Sequence, residues 1–173
     1  MDFNILKLAE INLIAAFPFL AAAWKWGDWR NWRRYYPTVL FFIAIDFAYG
    51  YITKNQPLWQ FESLVITSTF SFIFVALVGQ PPAIFLFLSL YPNKLHKQIG
   101  YILIWVAIFS IIEIIAFKIG SISYQNGWNI WFSILFNCIM FTIIRLHYKE
   151  PLQAWIITIV LAVIIMFLFN ISL

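Results

Sequence analysis

Charged side chains are too few in this chain, and too neatly gathered between long apolar runs, for it to fold as a water-soluble domain. Only 11 Lys or Arg and 7 Asp or Glu occur among 173 residues. Charge therefore makes up 10% of the chain, where a soluble domain carries about 25%. With 64% hydrophobic residues and a mean hydropathy of +0.87, the chain has no polar coat for a globular surface. The same composition excludes intrinsic disorder, which needs low hydrophobicity and high charge. What remains is an integral membrane protein, all-α, folded as a single domain over residues 1–173.

A helix that crosses the hydrocarbon layer needs about 20 mostly apolar residues. By that measure the sequence predicts a bundle of transmembrane helices over Asn4–Trp24, Pro37–Thr53, Glu62–Leu90, Ile99–Gly120, Trp128–Ile144 and Pro151–Leu173. There are six, or five if the first segment does not span. Short connections imply antiparallel neighbours. Lys7, Glu10 and Pro18 interrupt the first segment. It reads as a retained span rather than a cleaved leader, because Asp2 replaces the early positive charge a leader needs. Pro81-Pro82 removes two amide donors from the third span, so a bend is expected at Gln80-Pro81-Pro82.

Orientation follows from the basic residues. Lys25, Arg30, Arg33, Arg34, Lys94, Lys97, Arg145 and Lys149 fall in segments on one side, leaving Lys7, Lys54 and Lys118 on the other. The first group is expected in the cytoplasm and both termini outside. The loop from Lys25 to Tyr36 is basic and rich in Trp and Tyr, which suits the headgroup layer and anionic lipid. The pI of about 9.3 is explained the same way, and no nucleic-acid partner is expected.

Chemistry-bearing motifs are scarce. The single Cys138 lies in an apolar run and reads as an inert thiol. His96 and His147 are far apart, and no metal-ligand, phosphate-loop or nucleophile-elbow spacing occurs. No metal, cofactor or catalytic residue is expected.

Polar groups at membrane depth carry what functional signal there is. An ionisable residue there costs about 2.5–3.5 kcal/mol on insertion scales, so each needs a reason. Asp46 lies in the second span, with Tyr49, Gly50 and Thr53 on its face. Glu113 lies in the fourth, with Ser110, Ala116, Phe117 and Gly120. Glu10 follows Lys7 by three residues and can be neutralised by it. Asn129, Ser133 and Asn137 form a stripe on the fifth helix. Ser63, Thr67 and Ser71 form another on the third, continued by Gly79, which suits close helix packing. Asp46, Glu113, Asn137, Ser133, Asn129 and Glu10 are the candidate ligand- or ion-binding residues. Asp46 and Glu113 are expected to face one polar cavity with Asn137, opening outward between the second to fifth helices, with Ser110, Tyr49 or Asn137 as partners. The sixth span is almost wholly apolar beyond Thr158 and is expected to face lipid.

Several pieces resemble a family of small, uncharacterised polytopic membrane proteins common in spore-forming Gram-positive bacteria. They are Trp29-Arg30, Tyr36-Pro37-Thr38, Pro57-Leu58-Trp59, Leu90-Tyr91-Pro92 and Gly127-Trp128-Asn129. The most specific is Arg145-Leu146-His147-Tyr148-Lys149-Glu150-Pro151-Leu152, followed by Ala154-Trp155; Glu113 and Phe136-Asn137 fit the same pattern. The resemblance implies a bacterial plasma membrane and brings no activity with it. Three functions are therefore weighed. The first is a binding or permeation module for a small cation, proton or amphipathic ligand. The second is an intramembrane enzyme acting on a lipid or isoprenoid through a protonated carboxylate, and the third a structural subunit of a membrane complex. Membrane lipids are the expected partners in each case.

Overall fold

A computed structural model describes residues 14–62 and 67–171 of the chain. Helix α1 covers Ala16–Trp26, and a 3₁₀ turn at Trp29–Asn31 leads into α2, Trp32–Ile52. A short strand β1, Trp59–Phe61, precedes α3, Ser68–Phe74. A π-helical segment, Val75–Gly79, joins α3 to α4, Gln80–Ser89. Then follow α5, Leu95–Lys118, strand β2, Ile122–Tyr124, and the helices α6, Ile130–Lys149, and α7, Pro151–Leu168. The chain is an all-α bundle with one small two-stranded sheet.

Among the described residues five helices are long and apolar enough to cross a membrane: Trp29–Ile52, Ser68–Ser89, Leu95–Lys118, Ile130–Lys149 and Pro151–Leu168. The described part of the first segment, α1, has 11 residues, about 16 Å of helix against a hydrocarbon layer of about 30 Å. Lys7 and Glu10 lie outside the described residues. The third span begins at Ser68 rather than Glu62, because Thr67 caps it: its hydroxyl accepts the Phe70 amide at 3.2 Å. Thr67 thus starts the helix instead of sitting on its packing face. The second span starts before Pro37, which lies inside the helix and leaves the Arg33 carbonyl without its usual i−4 donor.

In the third span the irregularity falls on Val75–Gly79, and the Gln80 amide bonds to the Val75 carbonyl five residues back. Pro81 and Pro82 cannot donate to the carbonyls of Leu77 and Val78, so the turn before them loses its regular ladder and widens.

The helices alternate between two ends. At one end the three basic segments meet. The Asp28 amide donates to Ser89 Oγ at 3.2 Å, Tyr35 stacks on Tyr148, and the Arg145 guanidinium lies 4.2 Å from the Tyr91 ring centroid. Asp28 also accepts from Asn31 Nδ2 at 2.9 Å and from the Tyr35 hydroxyl at 3.0 Å. The Asn31 bond above all holds its carboxyl below the usual aspartate range. Gly27 closes α1 here with space for no side chain. A Cβ at this position would collide with the Phe85 ring and the Ala23 carbonyl. Gly27→Ala is expected to cost about 1–3 kcal/mol, as overpacking does, measured by thermal unfolding in detergent.

At the other end β1 pairs antiparallel with β2, Trp59 opposite Tyr124 and Phe61 opposite Ile122. The pairing continues through Glu62 N–H to the Ser121 carbonyl and Gln125 N–H to the Leu58 carbonyl. This clasp joins the loop after α2 to the loop after α5. Beside it Leu58, Trp128 and Ile171 form a small core. The main core lies toward the basic end, centred on the fully buried Phe87 and Phe141. On α7 only Ala154 is fully buried; Thr158, Leu161, Ala162, Ile165 and Met166 are half-buried, and the remaining residues are exposed.

Candidate functional site

Between the main core and the clasp lies a cavity of about 180 Å³. Asp46 enters it from α2, Glu113 from α5, and Ser133 and Asn137 from α6, one helical turn apart. Val75, Ala76, Gly79 and Gln80 line it from the π segment and the start of α4. Ala15, Ala16 and Phe19 close the side toward α1, where Gly79 allows a close approach: its Cβ would sit 3.8 Å from that of Ala16. The walls therefore include α1 and the clasp as well as the second to fifth spans.

Strand periodicity builds the roof. Successive side chains of a strand face opposite ways. Trp59, Phe61 and Ile122 face the cavity, while Gln60, Glu62 and Ser123 form the other face. There Glu62 Oε1 accepts from Gln60 Nε2 at 2.6 Å and from the Ser123 hydroxyl at 2.7 Å. Below the roof Trp59 stacks on Tyr49, centroids 4.1 Å apart and rings 10° from parallel, and its other neighbours are Trp128 and Phe136.

The two carboxyls have different surroundings. Glu113 Oε1 accepts the Tyr124 hydroxyl at 2.9 Å, and Ser133 and Asn137 lie beside the same carboxyl. Asp46 has neither a hydrogen-bond nor an ion-pair partner among the described residues. Among the described residues no Lys, Arg or His lines the cavity. A further acceptor is orphaned as well: Gln80 Oε1 is buried without a partner. Among the described residues the wall is thus acidic, with Asp46 as its unpaired acceptor.

Several expected pairings are replaced. The Tyr49 hydroxyl does not serve Asp46; it donates to the Trp59 carbonyl and accepts the Leu58 and Trp59 amides, each at 3.3 Å. Two loop amides need an acceptor once the clasp is formed, and Tyr49 supplies it. Ser110 accepts from Asn137 Nδ2 at 3.5 Å rather than serving Glu113. Ser133 lines the cavity and accepts the Trp128 indole N–H at 2.8 Å. Asn129 stands outside the cavity wall and caps α6, its Oδ1 accepting the Trp131 and Phe132 amides at 3.0 and 3.4 Å. An Asn just before a helix satisfies amides that the helix leaves unpaired. Glu10 lies outside the described residues. His147 is far from the site in role: its Nδ1 meets Thr38 Oγ1 at 3.0 Å and its ring stacks on Phe41.

Tyr124, Trp59, Phe61 and Gln80 are site residues that helix periodicity does not reveal. The alternations Trp59-Gln60-Phe61-Glu62 and Ile122-Ser123-Tyr124-Gln125 are the available signal for the clasp, and each is shorter than an ordinary strand. Burial, and then the Glu113 carboxyl beside it, hold the Tyr124 phenol well above the usual tyrosine range. Tyr124→Phe keeps the stack on Phe117 but loses the bond to Glu113. It is expected to lower stability by about 0.5–1.5 kcal/mol, which chemical denaturation in micelles would register.

The fold and site together define a multipass helical membrane protein with an acidic, aromatic-walled cavity roofed by a two-stranded clasp. The chain matches no protein-family model, no curated protein and no solved structure.

Proposed function

We propose that this chain is a small binding or permeation module of a bacterial plasma membrane. It takes up a cation, or the cationic end of an amphipathic solute, in the cavity between Asp46 and Glu113. One observation carries this reading: carboxyls from two different helices converge on one cavity that no basic side chain among the described residues enters. A carboxylate at membrane depth is costly unless a positive charge meets it. The protein supplies none among the described residues, so a ligand is left to do so.

The basic end is read as cytoplasmic by the charge bias, which places the clasp and the cavity roof on the outer side. Single-cysteine variants at Arg30, Lys97 and Lys149 should resist a membrane-impermeant maleimide in intact cells, whereas Lys54→Cys should react. Labelling of any of the first three would overturn the orientation.

The function is tested in proteoliposomes with gradients of protons, sodium or potassium. An electrogenic flux that Asp46→Asn and Glu113→Gln each abolish supports permeation. Cation binding without flux keeps the binding half of the reading. Wild-type protein that neither conducts nor binds any cation refutes it.

A further inference from the structure

We infer that the cavity selects an organic ammonium ion with at least one N–H and a small apolar body. The inference rests on the cation-binding reading above and narrows it to one class of ligand. Three features of the wall point the same way.

The first is the poor ligand set for a bare metal ion. Hard cations want about six or more oxygens in a compact shell. Among the described residues no group of three His, Cys, Asp or Glu side chains could hold a metal. Moreover, Glu113 Oε1 and Ser133 Oγ each already accept a hydrogen bond, from Tyr124 and from the Trp128 indole. Stripping an inorganic cation of its water here would leave it short of replacements.

The second is the aromatic wall. Trp59, Phe61, Phe72, Phe109, Trp128 and Phe136 surround the space into which the acids project. Ring faces attract ammonium ions, and in a desolvated site each such contact is worth about 2 kcal/mol. They also provide apolar contact for a hydrocarbon body, which an inorganic ion does not have.

The third is the surplus of acceptors. Asp46 lines the cavity from α2 with no donor among the described residues, and Gln80, whose buried Oε1 likewise has no partner among them, lines it from α4. An N–H-bearing ammonium can donate to both at once, whereas a quaternary ammonium can donate to neither. Asp46 provides the counter-charge, Gln80 the orienting acceptor, and the rings hold the body. The size agrees: about 180 Å³ exceeds the ~30 Å³ share of one water but falls below the ~300 Å³ at which drug-sized pockets begin.

The test uses the full chain in lipid nanodiscs with phenethylammonium, tetraethylammonium and sodium chlorides as probes. Titration calorimetry reads the affinity. Phenethylammonium is expected to bind at least tenfold more tightly than the other two, and to weaken at least tenfold in both Asp46→Asn and Gln80→Leu. Thermal unfolding of each variant confirms that it folds. Should Asp46→Asn fail to fold, Gln80→Leu and the ranking of the three probes still decide. Equal binding of tetraethylammonium, or an unchanged affinity in Gln80→Leu, overturns the N–H requirement. Binding of sodium alone overturns the inference while leaving the cation reading intact. No binding of any probe, together with no flux of inorganic cations, overturns both.

Discussion

Replacing Asp46 by leucine is expected to raise the stability of the bundle by about 1–3 kcal/mol while eliminating cation binding. Asp46 contributes no hydrogen bond and no ion pair to any described residue, so its removal orphans nothing among them. What is lost is the cost of keeping a carboxyl in an intramembrane cavity, about 2.5–3.5 kcal/mol for a mid-helix aspartate on insertion scales. Space is available for the larger side chain, because Asp46 borders the cavity rather than the packed core. Glu113→Leu should behave in the opposite way. It would leave the Tyr124 hydroxyl without its acceptor under the clasp, and a loss of about 1–3 kcal/mol is expected. Reversible unfolding in mixed micelles measures both. A destabilised Asp46→Leu would make Asp46 a structural pin and remove the main support for a ligand site.

The largest loss of stability is expected from Phe87→Ala, at about 3 kcal/mol. Phe87 has 0% exposure and joins α4 to α5 and α6, its ring meeting Tyr91, Tyr101, Trp105 and Phe141 at centroid distances of 5.0–5.7 Å. Truncating a buried Phe costs about 3–5 kcal/mol in soluble proteins through transfer and cavity terms. Within a bilayer or micelle the transfer term shrinks, because the unfolded ring remains among apolar chains, and the lost packing dominates. The lower end of the range is therefore expected. Phe167→Ala on α7 is the contrast: at 86% exposure the ring borders no packed neighbour, and the change should stay within about 0.5 kcal/mol. Similar losses for the two would mean that ring packing is not what holds the bundle.

Much of this molecule is legible without coordinates. Membrane thickness and backbone hydrogen bonding leave an apolar chain few options, so apolar run length places the helices. The same physics marks Asp46 and Glu113, because a carboxyl at that depth stands out against any apolar helix. Asn137 and Ser133 follow from the one-turn spacing. The Pro81-Pro82 pair announces an irregular turn, though the widened segment itself lies just before it, where the carbonyls lose their donors.

Other features depend on which segments meet. Trp59–Phe61 and Ile122–Tyr124 are each too short to hold as strands alone, and they are separated in sequence by two membrane spans. Their pairing exists only because the bundle brings two loop ends together, and with it come the cavity roof, the task of Tyr49 and the partner of Glu113. Asn129 shows the reverse limit. Its spacing from Ser133 and Asn137 is helical, yet it sits one residue before the helix begins and caps it instead. The sequence by itself determined the all-α class, five apolar helices long enough to span and the two acids set in them, since those follow from the solvation of single residues and from local periodicity. Only the tertiary structure decided which acid is paired, which is left open, and what roofs the space between them, because those depend on contacts between groups far apart in the chain.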